Sequence, residues 1–180
     1  LEGYKTAFPR ALGDAMRAKL GLTGALAPEQ LREADWTLVE DLLQLLASER
    51  VDYTIFWRRL SQAMAHESGA WSFQAPSWQA LTDLLLDRPR LLSWLQRYRD
   101  RVGDTAAQMM GAQMLRTNPK YVLRNHLGEL AIRQAQQGNF AMVQDLLQVL
   151  HAPFDEHPAY EAWAGLAPEW ASSIEISCSS

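Results

Sequence analysis

Apolar residues recur along this chain with a helical period of about 3.6 residues, broken repeatedly by Asp, Asn, Pro and Gly. Strand-like alternation is almost absent outside the final seven residues. A chain patterned this way buries one stripe per segment and can do so only by packing helix on helix, so the fold class is all-α. The expected architecture is an irregular multi-helix domain of antiparallel helical hairpins over residues 1–173, with an extended C-terminal tail over 174–180.

The first helix is predicted from Glu2 to Leu20, with Tyr4, Leu12, Met16 and Leu20 on one stripe and Gly21 ending it. Asp35 is expected to cap a helix carrying Leu38, Leu42, Leu45 and Leu46. Asp52 is expected to cap the next, carrying Ile55, Phe56, Leu60 and Met64, and the two to pair antiparallel. "HESGAWSFQAPS", residues 66–77, reads as a loop pinned by its two aromatics. Ser77 is predicted to start a helix, and Asp87 with Pro89 another. Asp104 opens a Met-rich segment whose Met109, Met110 and Met114 are read as adaptable core filler. Asn118 as N-cap with Pro119 at the first helical position is the strongest helix start in the chain. The helix it predicts runs to Gln137, is ended by Gly138, and makes a hairpin over 119–151. In that hairpin Leu123, Leu127, Leu130 and Ala131 face Met142, Val143, Leu146 and Leu147.

A length of 180 residues with 48% apolar and 21% charged side chains suits one compact core. The net charge of −4 gives no field that gathers phosphates along a face, which argues against nucleic acid as a partner. No apolar run approaches the roughly 20 residues of a membrane span. A lone cysteine, Cys178, makes neither an intrachain disulfide nor a thiolate cluster and fits a reducing cytoplasm. Residue 1 is Leu inside a predicted helix, so the chain is expected to be a piece of a longer one.

Phosphate-loop, HExxH and GxSxG motifs are missing from the sequence, and no catalytic residue is assigned in it. His66, His126, His151 and His157 are not spaced as metal ligands on one helical turn and are read as surface or satisfied side chains, so no metal or cofactor-binding residue is assigned. The arginines between Arg88 and Arg101 interleave with Asp87 and Asp100 and read as a solvated face. "LRNH" at 123–126 lacks the aspartate base of a kinase catalytic loop and falls inside a predicted helix.

In the tail, Ile174, Ile176 and Cys178 alternate with polar residues, so an extended chain puts both isoleucines and the thiol on one side. Two readings stand: a terminal anchor with an incidental thiol, or a positioned redox thiol. A cysteine with its ordinary pKa of about 8.5 is only a few per cent thiolate at neutral pH, so activation has to come from groups distant in sequence.

Several segments together resemble the selenoprotein O (SelO/YdiU) family: "MRAKLGL" at 16–22, "LLQLLASERVDYTIFWRRLS" at 42–61, "WLQRYRDR" at 94–101, "NPKYVLRNHL" at 118–127, "APFDE" at 152–156 and the final "PEWASSIEISCSS". The resemblance runs over nearly the whole chain and is to the C-terminal part of the family. It implies a kinase-like parent that transfers AMP from ATP, with Mg2+, to protein hydroxyls. The parent's lysine and metal-binding Asn and Asp lie on motifs absent from these 180 residues. It also implies that Cys178 occupies the position of selenocysteine in some members, and so is a redox candidate whose disulfide partner lies outside this chain. The expected role is that of a structural and regulatory domain in a bacterial cytoplasmic protein. Its partners would be the N-terminal kinase-like domain and the parent's protein substrates, and an exposed apolar face would let the isolated chain form a homodimer. Two alternatives are an independent helical interaction module without an enzymatic parent, which predicts stacked near-identical helix pairs, and a thiol oxidoreductase working through Cys178 alone.

Overall fold

The structure, a computed structural model, describes residues 2–24, 27–67, 71–103 and 107–174. Among them are eight α-helices and no strand: α1 (Glu2–Lys19), α2 (Arg32–Ser48), α3 (Tyr53–His66), α4 (Pro76–Thr82), α5 (Arg88–Val102), α6 (Ala107–Thr117), α7 (Asn125–Gln136) and α8 (Ala141–His151). Shorter 3-10 turns cover Glu29–Leu31, Pro158–Ala164 and Glu169–Ser173. The chain divides into two compact units, Leu1–Asn118 and Pro119–Ser180. Apart from Ile174, the tail expected over 174–180 lies outside the described residues, as does Asp104.

Local signals explain most helix ends. α1 is one helix through Pro9 and stops before Gly21, whose φ of 72° is the left-handed conformation that closes a helix at little cost to glycine. The Asp52 carboxylate accepts from the Ile55 N–H at 2.9 Å and starts α3. Asp87 accepts from the Arg90 N–H at 3.1 Å and starts α5, with Pro89 in the first turn. α4 begins one residue before the expected Ser77, because Pro76 already holds the φ that a first helical residue needs.

In the first unit α3 packs mainly on α6 and α4, and α2 on α5 and α1. In place of the expected α2–α3 hairpin, the main pairings of these two helices are remote in sequence, α3 with α6 and α2 with α5. The α3–α6 pairing has a steric origin at Gly111. A Cβ built there would lie 2.1 Å from the Ala65 nitrogen and 2.6 Å from the Met64 carbonyl carbon, so backbone meets backbone. Only glycine permits that approach. Met110 and Met114 are buried on this helix as expected, whereas Met109 is 72% exposed on its outer side.

Aromatic side chains fill the same core. Trp94 and Tyr98 stack with centroids 5.4 Å apart, and Trp71 packs against Trp78 at 5.9 Å, which pins the 66–77 loop as expected. The polar ends of these rings are satisfied: Trp94 Nε1 donates to the Leu38 carbonyl at 2.8 Å, Tyr98 Oη to the Leu20 carbonyl at 2.6 Å, and Trp78 Nε1 to Glu67 at 2.7 Å. Burial pushes the Tyr98 phenol far above its ordinary pKa, so it stays a neutral donor.

Asp35 does not cap α2. The helix begins at Arg32, directly after the Glu29–Leu31 turn, which puts Asp35 in its first turn with its side chain wholly buried. There it is ion-paired to Arg17 Nε of α1 at 2.8 Å and to Arg101 Nε of α5 at 2.5 Å, with Arg101 Nη2 at 3.1 Å. Arg17 also donates to the Pro28 carbonyl at 2.9 Å.

Asn118 likewise is not a cap. It is fully buried: its amide donates to the Lys19 carbonyl and to Ser61 Oγ, each at 2.9 Å, and its Oδ1 accepts from Lys19 Nζ at 3.2 Å. The Arg58 guanidinium donates to the Leu115 and Asn118 carbonyls at 3.1 and 3.3 Å and so finishes α6.

In the second unit the Lys120 and Tyr121 N–H groups both bond the Pro153 carbonyl, at 2.8 and 3.1 Å, which holds residues 119–124 out of a helix. α7 consequently starts at Asn125, six residues later than Pro119 suggests. The small core there is Leu127, Ala131, Met142 and Leu146, with Leu130 and Trp163 against it. Leu123, Val143 and Leu147, expected in the hairpin seam, are 59%, 42% and 59% exposed.

Two outcomes test this packing. Gly111→Ala should lower stability by roughly 1–3 kcal/mol in urea unfolding, despite a gain of about 1 kcal/mol in helix propensity; an unchanged midpoint would refute the close approach. Asp35→Ala, which strands the buried Arg17 charge, should cost about 3–5 kcal/mol by the same measurement. A loss under 1 kcal/mol would show that the ion cluster is not a structural link.

Candidate functional site

A concavity of the first unit lies between α1 and α2, where the stripe of α1 that does not meet α6 is left open. Its volume is about 740 Å3, and Phe8, Pro9, Leu12, Trp36 and Val39 supply its apolar lining. Phe8 is 50% and Leu12 38% exposed, so Leu12 belongs to the groove and not to the core with Met16 and Leu20. Arg17 and Asp35 also line it, already paired to each other. Arg32 bridges Asp14 at 2.8 Å and Glu29 at 2.9 Å, tying the start of α2 to α1 and to the preceding turn. The hydrogen bond from Arg32 holds the Glu29 carboxyl below its ordinary pKa. Arg10 and Glu33 line it as well. Chemically it is a largely apolar trough that also holds charged side chains, suited to packing against another surface.

The arginines of α5 are mostly tied down by carboxylates: Arg88 by Asp83 at 2.7 Å, Arg97 by Asp41 at 2.5 Å, and Arg101 by Asp35. Arg90 reaches Ser48 at 3.3 Å. This agrees with the solvated-face reading for Arg88 and Arg97, whereas Arg101 turns inward to the buried Asp35.

The histidines do not converge. His66 is exposed and bonded to the Gln62 carbonyl at 2.7 Å, and His151 is exposed at the end of α8. His157 bonds the Ala152 carbonyl at 2.9 Å and meets the Tyr121 ring edge-on. His126 departs from expectation: it is buried in the first turn of α7, with Trp170 edge-on at a centroid distance of 6.0 Å. "LRNH" thus straddles a helix start and does not lie inside a helix, and its lack of an aspartate still separates it from a kinase loop. Among the described residues no three of His, Cys, Asp and Glu are grouped to hold a metal ion. Cys178, the redox candidate, lies outside the described residues.

Besides Arg17 and Arg58, a third buried cation was missed in the sequence. Lys120, only 8% exposed, is clasped by Glu156 and by Glu161, the latter at 2.5 Å. Burial acts to lower its pKa and the two carboxylates outweigh that, leaving it raised. No local pattern announces this clasp, since its partners lie 36 and 41 positions away.

No described helix is long and apolar enough to cross a membrane. The family model described as protein adenylyltransferase SelO matches residues 1–151. The protein nucleotidyltransferase YdiU of Variovorax paradoxus is 48% identical over 180 residues, covering all of this chain and 33% of that protein. The YdiU of Albidiferax ferrireducens is 47% identical, with 34% of its length covered, and that of Burkholderia ambifaria 45% over 184 residues, with 32% covered. The chain spans about a third of the length of these curated relatives. "NPKYVLRNHL" lies within the residues of the family match, while "APFDE" and the final "PEWASSIEISCSS" follow it and lie within the pairwise alignments. With 151 of 180 residues matched by the family model and the full chain aligned at up to 48% identity, this chain belongs to the SelO family.

Proposed function

We propose that this chain is the helical C-terminal portion of a SelO-type protein adenylyltransferase, with a structural and regulatory role and not a catalytic one. The observation that carries this reading is the alignment of the whole chain with only a third of the length of nucleotidyltransferase relatives. AMP transfer needs a magnesium-neutralised polyphosphate, a phosphate cradle and a positioned acceptor oxygen. In this proposal ATP and Mg2+ bind the kinase-like part of the parent, which also selects the protein substrates, in the bacterial cytoplasm.

The α1–α2 groove supports a docking role. Phe8 and Leu12 present apolar surface over a trough in which Arg17, Arg32, Glu29 and Asp35 are already paired, so a kinase-like neighbour would meet only Arg10 and Glu33 as further charges to match. When this chain is isolated, the same face is available to a second copy. Cys178 is the regulatory element of the proposal, its thiol meeting a group on the parent.

The pairing pattern favours this over a repeat-type interaction module. α2 pairs with α5 and α3 with α6, so successive helices do not stack as equivalent hairpins.

Calorimetry of the isolated chain with Mg·ATP should record no binding heat, and tight magnesium-dependent binding would sink the assignment of the nucleotide to the rest of the parent. The pH dependence of Cys178 alkylation should give a pKa near the ordinary value of about 8.5. A value several units lower would favour autonomous thiol chemistry.

A further inference from the structure

α7 and α8 are joined by four residues and so run antiparallel, and their apolar residues fall into two stripes on each helix, not one. Leu127, Ala131, Met142 and Leu146 meet in the seam of the pair. One side of that seam is closed: Trp163 of the Pro158–Ala164 turn packs against it, and Asp145 turns to bond the Tyr160 hydroxyl of the same turn.

The other side is open. Gly128, Ile132 and Ala135 lie roughly 80–140° round α7 from Leu127, and Phe140, Val143 and Leu147 roughly 100–160° round α8 from Met142, at about 100° per residue. On antiparallel helices, turns of the same sense lead to the same side of the pair, so the two stripes share one face. Ile132 is 55% and Phe140 56% exposed, and Val143 and Leu147 comparably so. These four side chains offer on the order of 400 Å2 of apolar surface, a patch of the size that marks an interaction site. Along α8 the large residues Phe140, Val143, Leu147 and Leu150 follow the alternating spacing of a helix-bundle seam.

We propose that this face pairs with the same face of a second copy of the chain, each α7–α8 hairpin supplying half of a four-helix bundle. Charge selects the occupant. The borders of the face carry Gln136, Gln144 and Gln148, and the nearest charged pair, Glu129 with Arg133, is closed on itself at 2.7 Å. Identical faces therefore meet without repulsion, whereas a partner with a charged surface would lose its hydration and find no counter-charge. The proposal uses the second unit alone and is independent of the docking role of the α1–α2 groove.

Side-chain size fits the same pairing. The α7 stripe is small at Gly128 and Ala135, and the α8 stripe is large. Gln134 bonds the Met142 sulfur at 3.6 Å, which sets the heights of the two helices. A two-fold axis parallel to the helices then lays α8 of one copy on α7 of the other. Leu147 of one copy falls between Gly128 and Ile132 of the other, and Ile132 falls between Val143 and Leu147. A Cβ built on Gly128 meets nothing within 4 Å, so this hole is open in the single chain. A contact at the low end of specific interfaces, roughly 1,200 Å2 in total, gives a weak dimer with a dissociation constant on the order of 10 μM.

Sedimentation equilibrium of the 180-residue chain, from about 1 to about 500 μM, should show monomer and dimer in exchange. Gly128→Gln fills the hole without crowding the single chain, and glutamine is the better helix former, so its thermal midpoint at low concentration should hold or rise. The same variant should raise the dissociation constant at least roughly tenfold, as should Leu147→Gln. Leu12→Gln, in the α1–α2 groove, should leave it unchanged. A chain that stays monomeric throughout overturns the proposal and leaves the face to a different polypeptide. It is overturned as well if Gly128→Gln or Leu147→Gln dimerises as tightly as the unsubstituted chain, and a dimer weakened by Leu12→Gln instead would belong to the groove.

Discussion

A carboxylate withdrawn from water has to be neutralised where it sits, and Asp35 meets that demand with guanidinium groups from two other helices. The charge therefore acts as an orienting device: α1, α2 and α5 can approach only in the arrangement that brings Arg17 and Arg101 to one acid. The apolar contacts around it carry most of the stabilisation but are tolerant of direction. Polar links from the same helices narrow the choice further. Tyr98, less than one turn before Arg101, reaches the carbonyl of Leu20 beyond α1, and Trp94, a turn earlier, reaches the carbonyl of Leu38 in α2. α5 is thus fastened to both neighbours along a single face, with the aromatic stack between the fastenings.

Features written in consecutive residues were legible in advance. The all-helical class, the caps at Asp52 and Asp87, the stops at Gly21 and Gly138 and most leucines of the core follow from periodicity and capping alone. What failed were readings in which a local preference competed with a tertiary bond. Asp35 and Asn118 have the chemistry of caps, but each finds stronger partners far along the chain, and no periodicity reports those partners. The α3–α6 pairing was invisible for a related reason: a glycine within a helix looks like a weak spot until the facing backbone is known. In the candidate sites the sequence alone offered Cys178 only as one of two readings, and family resemblance raised it. His126 was read as a surface or satisfied histidine and is buried, because its burial beside Trp170 is a property of the surrounding fold.

The two units treat charge alike. In the first, charge is consumed internally: Asp35, Arg32 and most of the α5 arginines are spent on neighbours, and the open surface between α1 and α2 is largely apolar. In the second, the buried Lys120 is likewise consumed, by Glu156 and Glu161.

The contact between Gly111 and the Ala65 backbone also sets a register. With no side chain interposed, α6 can neither roll nor slide against α3 without losing its seat, because the residues on either side of Gly111, Met110 and Ala112, carry the Cβ that the gap excludes. The helix then works as a fixed length of seven residues from that seat to Asn118, whose amide must arrive at Ser61 and at the end of α1 together. A missing methyl group in the middle of one helix thereby determines where Asn118 meets Ser61 and the Lys19 carbonyl.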